Sequence, residues 1–338
     1  MENVTKHKPI DILCIGDVVT DIFIKLYDDQ AHTYKNEHGQ WIAMQFGMKL
    51  PFDHAETLHA VGNAANAAVS CSRLGLNVAF ETNVGGDDAG RDIIKALAKE
   101  DVDHRFVHVN PKKASNLHFV LWYKEERTIL INHEEYDYNW PHFRPAEMPK
   151  WVYFSSISEN ALDYSDEIAG WLEKYPEVKL AFQPGTFQMK TGVERLKRLY
   201  ARTEVVILNR EEAVLVSGGD YHNLHDLLDR FHSYGCKIVV ITDGPDGAYA
   251  SDGVNRYKMP LYPDPAPPFE RTGAGDAFAS TLVAALARGF DLAGALQWAP
   301  INSMSVVQQV GAQNGLLTER EIEAWLEKAP DWYKPESF

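Results

Sequence analysis

Short apolar runs set the rhythm of the chain. Residues 10–15 are apolar and end at Gly16-Asp17, which predicts a buried strand stopping at a polar edge. Beyond Asp21, the apolar Ile22, Ile24 and Leu26 alternate with Phe23, Lys25 and Tyr27, and residues 40–46 are a second extended stretch. Both read as strands lying outside the main sheet. Gly62 then opens a run of small residues that predicts a closely packed helix ending near Gly75. Residues 78–82 predict a strand, 84–90 a glycine-rich turn and 91–99 an amphipathic helix. Residues 116–123 and 127–132, separated by Lys124-Glu125-Glu126, predict a hairpin. With the two early strands this hairpin is expected to build a four-stranded sheet, apolar on one face and able to lie over a site as a lid.

From Trp151 the pattern becomes strand, helix, strand, helix. Residues 152–154, 178–182, 205–208 and 238–242 are short apolar strands, with helical spacing over 164–174 and 224–234. Such alternation predicts an α/β fold, a mainly parallel sheet covered by helices on both faces. Ligands bind at the carboxyl ends of strands in such sheets, and Asp21, Asn209 and Thr242 each follow a predicted strand.

Composition narrows the partners. The 338 residues hold 33 Lys+Arg against 48 Asp+Glu, a net charge of −15, which disfavours a nucleic-acid backbone as ligand. Cys14, Cys71 and Cys236 are scattered, without metal-site or CxxC spacing, and read as reduced thiols. The polar start of the chain and the lack of an apolar run approaching about 18 residues predict a soluble, cytoplasmic protein without membrane contact.

The stretch 269–280 carries the chemistry. Two glycines, Gly273 and Gly275, precede Asp276 and a helical run of small and apolar residues over 277–286. Free N–H groups and the positive end of a helix dipole make such a start an anion site, and Asp276 sets a candidate base beside it. The plain alternative is a glycine turn with an aspartate at a helix start. Neither G-x-x-x-x-G-K-[ST] nor G-x-G-x-x-G occurs, so phosphate handling falls to residues 273–275. Asn209 and Glu212, three apart after a strand, are candidates to hold hydrated Mg²⁺; the alternative for Glu212 is a helix-start carboxylate facing the dipole. Residues 242–247 read either as donors to nucleotide phosphates or as a hairpin turn before 248–251. Trp41, His118, Trp122 and Tyr123 read as a sheet-face core or dimer interface, with sugar or base stacking as the other use. His133-Glu134-Glu135 reads as a solvated loop.

The segment Arg271-Thr272-Gly273-Ala274-Gly275-Asp276 resembles the C-terminal signature of the ribokinase-like (PfkB) family of sugar and nucleoside kinases. Further markers appear in family order between about residues 11 and 317. They are Gly16 through Asp21, Gly62 with Asn66, the turn at 84–90, Asn209 with Glu212, Thr242 with Gly244 and Gly247, and Gly311-Ala312. The resemblance implies a three-layer sandwich with a β-sheet lid, one kinase domain over 1–338, and lid strands from about 21–47 and 116–133. It implies Asp276 as base, with Gly273, Ala274 and Gly275 supplying the anion hole. Asp21, Gly62 and Asn66 would hold hydroxyls of a sugar. Asn209, Thr242, Gly244, Gly247 and Thr272 would serve the nucleotide, and Asn209 and Glu212 would position Mg²⁺ through water. Expected ligands are ATP with Mg²⁺, K⁺ near the anion hole and a small sugar, and a homodimer through the lid is a family habit.

Four positions depart from the family pattern. Val61 replaces a second glycine, Gln183-Pro184-Gly185 stands where D-P-N is usual, Arg271 replaces Asp or Thr, and Pro300 falls where an alanine–asparagine pair is common. These bear on the acceptor and base pockets. A nucleoside kinase and a non-catalytic sugar-binding protein of the same fold are the competing readings. An acidic sugar would call for a basic residue near the lid, for which Arg105 and Arg127 are candidates.

Overall fold

The computed structural model describes residues 9–37, 39–124, 126–269 and 271–338. Residues 1–8 of the polar start, Glu125 of the expected hairpin turn and Glu270 of the signature stretch lie outside the described residues. In chain order, β1 (Ile12–Ile15) and β2 (Val19–Leu26) are followed by the ribbon β3 (Ala31–Asn36) and β4 (Gly39–Met44), then β5 (Phe52–Val61). Helix α1 (Asn63–Arg73) leads to β6 (Val78–Gly85), α2 (Asp88–Lys99) and β7 (Asp103–Asn110). The hairpin β8 (Leu117–Tyr123) and β9 (Glu126–Asn132) comes next. The second half runs β10 (Trp151–Phe154), α3 (Leu162–Lys174), β11 (Lys179–Phe182), α4 (Thr186–Thr191), α5 (Val193–Arg202) and β12 (Thr203–Asn209). It continues through α6 (Arg210–Ser217), α7 (Leu224–Ser233), β13 (Ile238–Thr242), β14 (Ala248–Ser251) and β15 (Arg256–Met259). Helices α8 (Ala274–Ala287), α9 (Leu292–Val306) and α10 (Glu319–Leu326) precede a final short strand, β16 (Glu336–Ser337).

The central sheet has the order β16-β15-β14-β13-β12-β11-β10-β1-β6-β7. Strands β7 through β13 in that order are parallel, and β14, β15 and β16 add an antiparallel edge. Side chains of a strand alternate between faces, and here both faces are apolar. Ile12 and Cys14 pack into one core with residues of α1, α8 and α9; Leu13 and Ile15 pack into the other with residues of α3, α5 and α7. The result is the expected three-layer α/β sandwich. The chain leaves β1 on one side toward β6 and reaches its other neighbour, β10, only after the β8–β9 hairpin. That reversal opens a crevice at the carboxyl ends of β1 and β10.

The small sheet is present, but its membership differs from the expectation. Its order is β5-β2-β8-β9, and β4 pairs with β3 in a separate two-stranded ribbon. The missing strand, β5, lies at the sheet's edge and is largely exposed, so its sequence FDHAETLHAV lacks the alternation that marks a half-buried strand. The turn at 84–90 fastens this sheet to the core. Asp87 accepts the Gly90 N–H at 2.9 Å and the Ser115 N–H at 2.8 Å, just ahead of β8. A Cβ on Gly90 would stand 2.2 Å from the Gly85 carbonyl oxygen, so close packing explains both glycines. No described helix is long and apolar enough to cross a membrane.

Leu172 of α3 is fully buried in the second core, away from the crevice. Leu172→Ala is expected to cost about 2–5 kcal/mol in urea unfolding, by lost burial plus the cavity left behind. A loss below about 1 kcal/mol would contradict this packing.

Candidate active site

Helix α8 is apolar nearly all round, and residues 276–285 are buried, as a helix filling a core should be. Its first residue is set by Gly273, which takes φ +79°. A Cβ there would stand 2.4 Å from the Cβ of Ala312, so both conformation and packing demand glycine. The first intrahelical bond runs from the Ala277 N–H to the Gly273 carbonyl at 2.8 Å. The N–H groups of Gly275 and Asp276 therefore precede the helical ladder. Gly275 borders open space, where an added Cβ would meet nothing within 4 Å.

Asp276, 9% exposed, is surrounded by amides. Asn63 Nδ2 donates to Oδ1 at 2.7 Å, Asn66 Nδ2 to Oδ2 at 2.8 Å, and Gln183 Nε2 to Oδ1 at 3.2 Å. Gln183 is itself fixed by the Tyr153 hydroxyl, and Asn66 by Gln313, which donates to its Oδ1 at 2.9 Å. Burial raises the Asp276 carboxyl above its ordinary value, and the three amide hydrogen bonds oppose that rise. The carboxylate thus has donors for both oxygens, though no cation pairs with it among the described residues.

Two cavities meet beside it. One of about 340 Å³ is lined by Thr242, Gly244, Gly247, Arg271 and Gly275 and by the larger, mainly apolar Tyr262, Pro300 and Met304. The other, about 230 Å³, is lined by Asn63, Gln183, Asn209, Glu212, Gly273 and Asp276. Thr242 and Gly275 border both. Asn209 and Glu212 make a reciprocal capping box at the start of α6: Asn209 Oδ1 accepts the Glu212 N–H at 2.8 Å, and Glu212 Oε2 accepts the Asn209 N–H at 2.9 Å. Burial raises the Glu212 carboxyl, the bond from Asn209 lowers it, and the nearby Asp276 charge raises it again. Residues 242–247 form the turn between antiparallel β13 and β14, the hairpin reading, and Thr242, Gly244, Pro245 and Gly247 also line the larger cavity. Gly247 is required for packing, since its Cβ would lie 2.2 Å from the Met259 carbonyl oxygen. Thr272 lines neither cavity.

Gly62, at the start of α1, takes φ +111°, and an added Cβ would stand 3.0 Å from the Asp17 carbonyl oxygen. Asp21 sits on β2 of the lid, 3.2 Å from His118 Nδ1 on β8. His118 Nε2 is 2.8 Å from His133 Nε2, and His133 Nδ1 is 4.0 Å from Asp17 Oδ2. Residue His133, read from sequence as part of a solvated loop, is therefore half-buried in a polar cluster. Asp17 also accepts the Tyr138 hydroxyl at 2.8 Å. On neighbouring β6, Glu81 accepts the Tyr164 hydroxyl at 2.5 Å.

The pfkB family carbohydrate kinase model matches residues 48–319. The chain belongs to the pfkB family of carbohydrate kinases. It is a sugar kinase, a phosphotransferase with an alcohol group as acceptor. Similar proteins include an ATP-dependent 6-phosphofructokinase of Thermoanaerobacterium thermosaccharolyticum, 26% identical over 90% of each chain. A 5-dehydro-2-deoxygluconokinase of Clostridium tetani is 24% identical over 96% of this chain and 94% of its own. In fold the kinase resembles the Arabidopsis thaliana ribokinase solved with ribose and ATP, with TM-score 0.77 at 18% identity, covering 95% and 99% of the two chains.

The sequence of this pfkB kinase pointed to Asp276, its glycines and the pair Asn209 and Glu212, which the structure brings to one cavity, but gave no sign of Asn63 beside Asp276 or of the contact between His118 and His133. Gln183 was visible as an amide in place of a carboxylate, though its partner was not. Asn63 and Asn66 share one face of α1 by their spacing of three, the one local signal that pointed to a joint role.

Burial pushes Glu81 up to about 8, against the Tyr164 hydrogen bond and with the Asp17 charge adding to the rise. Burial likewise pushes Asp17 up to about 6. Each carboxyl holds its proton more tightly folded than unfolded, so its stabilising contribution is whole at low pH and is lost as pH rises through the folded value. Tm is expected to fall between about pH 5 and pH 8, and Glu81→Gln to flatten the upper part of that fall. Parallel melting series in which the two proteins show the same slope would contradict the assignment.

Proposed function

We propose that this kinase, acting as one domain with the lid inserted, moves the γ-phosphoryl group of ATP to a hydroxyl of a small sugar. Asp276 accepts the hydroxyl proton, and the N–H groups at Gly273, Ala274 and Gly275 offset charge on the phosphoryl group in transit. The observation that carries the reading is the position of Asp276, at the start of α8 where the two cavities meet. The larger cavity suits a nucleotide: its lining combines Thr242, Gly244 and Gly247 for phosphates with apolar Pro300 and Met304 for a base. An uncharged base in a mostly apolar slot and a phosphate at glycine-rich backbone are the recognition each set favours.

Two carboxylates, Asp276 and Glu212, line the smaller cavity, and their mutual repulsion helps to raise Glu212. Asn209 and Glu212 would hold Mg²⁺ there through its waters, a donor set that suits a hard cation keeping most of its hydration. When bound, the ion supplies neutralisation of phosphate charge. A similar fold, a candidate ribokinase II from E. coli with TM-score 0.72, was solved with ATP and Mg²⁺. A K⁺ ion near the anion hole rests on the family resemblance alone.

Asn66, expected on the sugar, also donates to Asp276, so we assign it to the base as well as to the acceptor, which Asp21 and Gly62 would hold with it. The polar surroundings of Asp21 favour a sugar over a nucleoside, whose base would need an apolar slot there. Exposed Ile129 and Ile131, two apart on β9 and so on one face of the lid, support a homodimer through that sheet. The three cysteines are free and buried, in keeping with a reducing, cytoplasmic setting.

Asp276→Asn is expected to lower ATP-dependent phosphorylation by roughly 10²–10⁴-fold while nucleotide binding changes little, because the base is lost and the anion hole kept. Near-full activity in the variant would overturn the role given to Asp276.

A further inference from the structure

The four groups Asp21, His118, His133 and Asp17 straddle the seam between the lid and the central sheet. Asp21, His118 and His133 come from lid strands or their ends, and Asp17 from the end of β1. The two imidazoles are nearly parallel, with an interplanar angle of 11°, and they touch through Nε2 at 2.8 Å. A nitrogen–nitrogen hydrogen bond needs one proton and one lone pair. The pair can therefore carry at most one positive charge while that bond lasts, since a second would put protons on both Nε2 atoms. Two carboxylates flank it, so the ionised cluster stays net negative.

Its outer atoms are also incomplete. Asp21 Oδ1 is at ion-pair distance from His118, yet it and His133 Nδ1 are buried without an aligned hydrogen-bond partner among the described residues. The 4.0 Å between His133 Nδ1 and Asp17 Oδ2 is too long for a hydrogen bond and short enough for one hydroxyl oxygen to touch both. Buried polar atoms of this kind call for a ligand or water. Four basic side chains of the lid and its surroundings are directed elsewhere. Arg105 pairs with Asp103 and Glu147, Lys25 lies over Trp122, and Lys113 donates to the Glu135 carbonyl. Arg127 lines a recess on the lid with Trp41 and Tyr123.

We propose that His133, held by His118, is a specificity-determining residue that binds a hydroxyl of the acceptor between itself and Asp17, while Asp21 takes a second hydroxyl. The site thereby selects an uncharged polyhydroxy acceptor and rejects sugar acids and sugar phosphates. A hydroxyl can donate to a carboxylate and exchange a hydrogen bond with a neutral imidazole, whereas a carboxylate or phosphate brought to the same atoms meets net like charge. Burial, with the His118 charge adding to it, holds His133 below its ordinary value, so it is largely neutral at pH 7.

This inference rests on the kinase reading of the same site, and its test separates the two. Neutral pentoses and hexoses, keto-deoxy sugar acids and sugar monophosphates are compared by ADP release and, independently of transfer, by titration calorimetry on the full chain. Neutral sugars are expected to bind and to exceed the anions in kcat/KM by about 100-fold, a typical penalty for like charges brought together at a binding site. His133→Gln keeps a group for His118 and withdraws the one facing Asp17. It should raise acceptor KM about tenfold, with kcat and the KM for ATP within about twofold, the loss of one hydrogen bond. His133→Asn, which keeps a polar group near Nδ1, should recover part of the loss, and Asp17→Asn should narrow the discrimination against anions. Binding of neutral sugars without any transfer would defeat the kinase reading alone. Preference for an acid or a phosphate, or a His133→Gln effect on kcat instead of acceptor KM, would overturn this proposal.

Discussion

A buried carboxylate with no cation beside it among the described residues is the constraint on which the architecture turns. Asp276 belongs to a helix that is otherwise apolar and sealed in the core, where an uncompensated charge is costly. Three amide donors, two from helix α1 and one from the loop after β11, offset that cost without neutralising the charge. A lysine or arginine there would hold the carboxylate far more strongly and depress its basicity. Neutral amides orient both oxygens and leave the group able to take a proton.

The same logic organises the rest of the crevice. Helix α1 supplies Asn63 and Asn66, and its start is pressed against the chain at Asp17 by a glycine that admits no side chain. Gly311 and Ala312 close the other flank: Ala312 abuts Gly273, and a Cβ on Gly311 would stand 2.4 Å from Leu58 of lid strand β5. The start of α8, the late loop and the lid are thus in contact through Gly273 and Gly311, both at positive φ. Two polar clusters result, the amides around Asp276 and the Asp–His–His–Asp set between lid and central sheet.

Much of the fold was legible because its signals are local. The central strands are continuous apolar runs, and the glycine–aspartate stretch announces a helix start by its own composition. The lid's membership was not legible, since β5 is an exposed edge strand whose polar residues mask its period. The partners of Asp276 lie 213, 210 and 93 residues away in sequence, and no window spans such contacts. The histidine pair escaped for a related reason. His118 and His133 are separated by a hairpin that brings them together only once β8 and β9 have paired.

The central claim is that Asp276 works as a base because its neighbours are neutral donors, and Gln183 offers the sharpest probe of it. Gln183→Glu keeps the length of the side chain and an oxygen for the Tyr153 hydroxyl, but it sets a second carboxylate where an N–H donor stood 3.2 Å from Asp276 Oδ1. Like charge at that distance raises the proton affinity of the base, so Asp276 stays protonated to higher pH. The measurement is the pH dependence of kcat for phosphoryl transfer. The account predicts that the acidic limb moves up by about one pH unit or more in Gln183→Glu, with activity recovering toward the parent value at high pH. An acidic limb at the same pH in both proteins would contradict it.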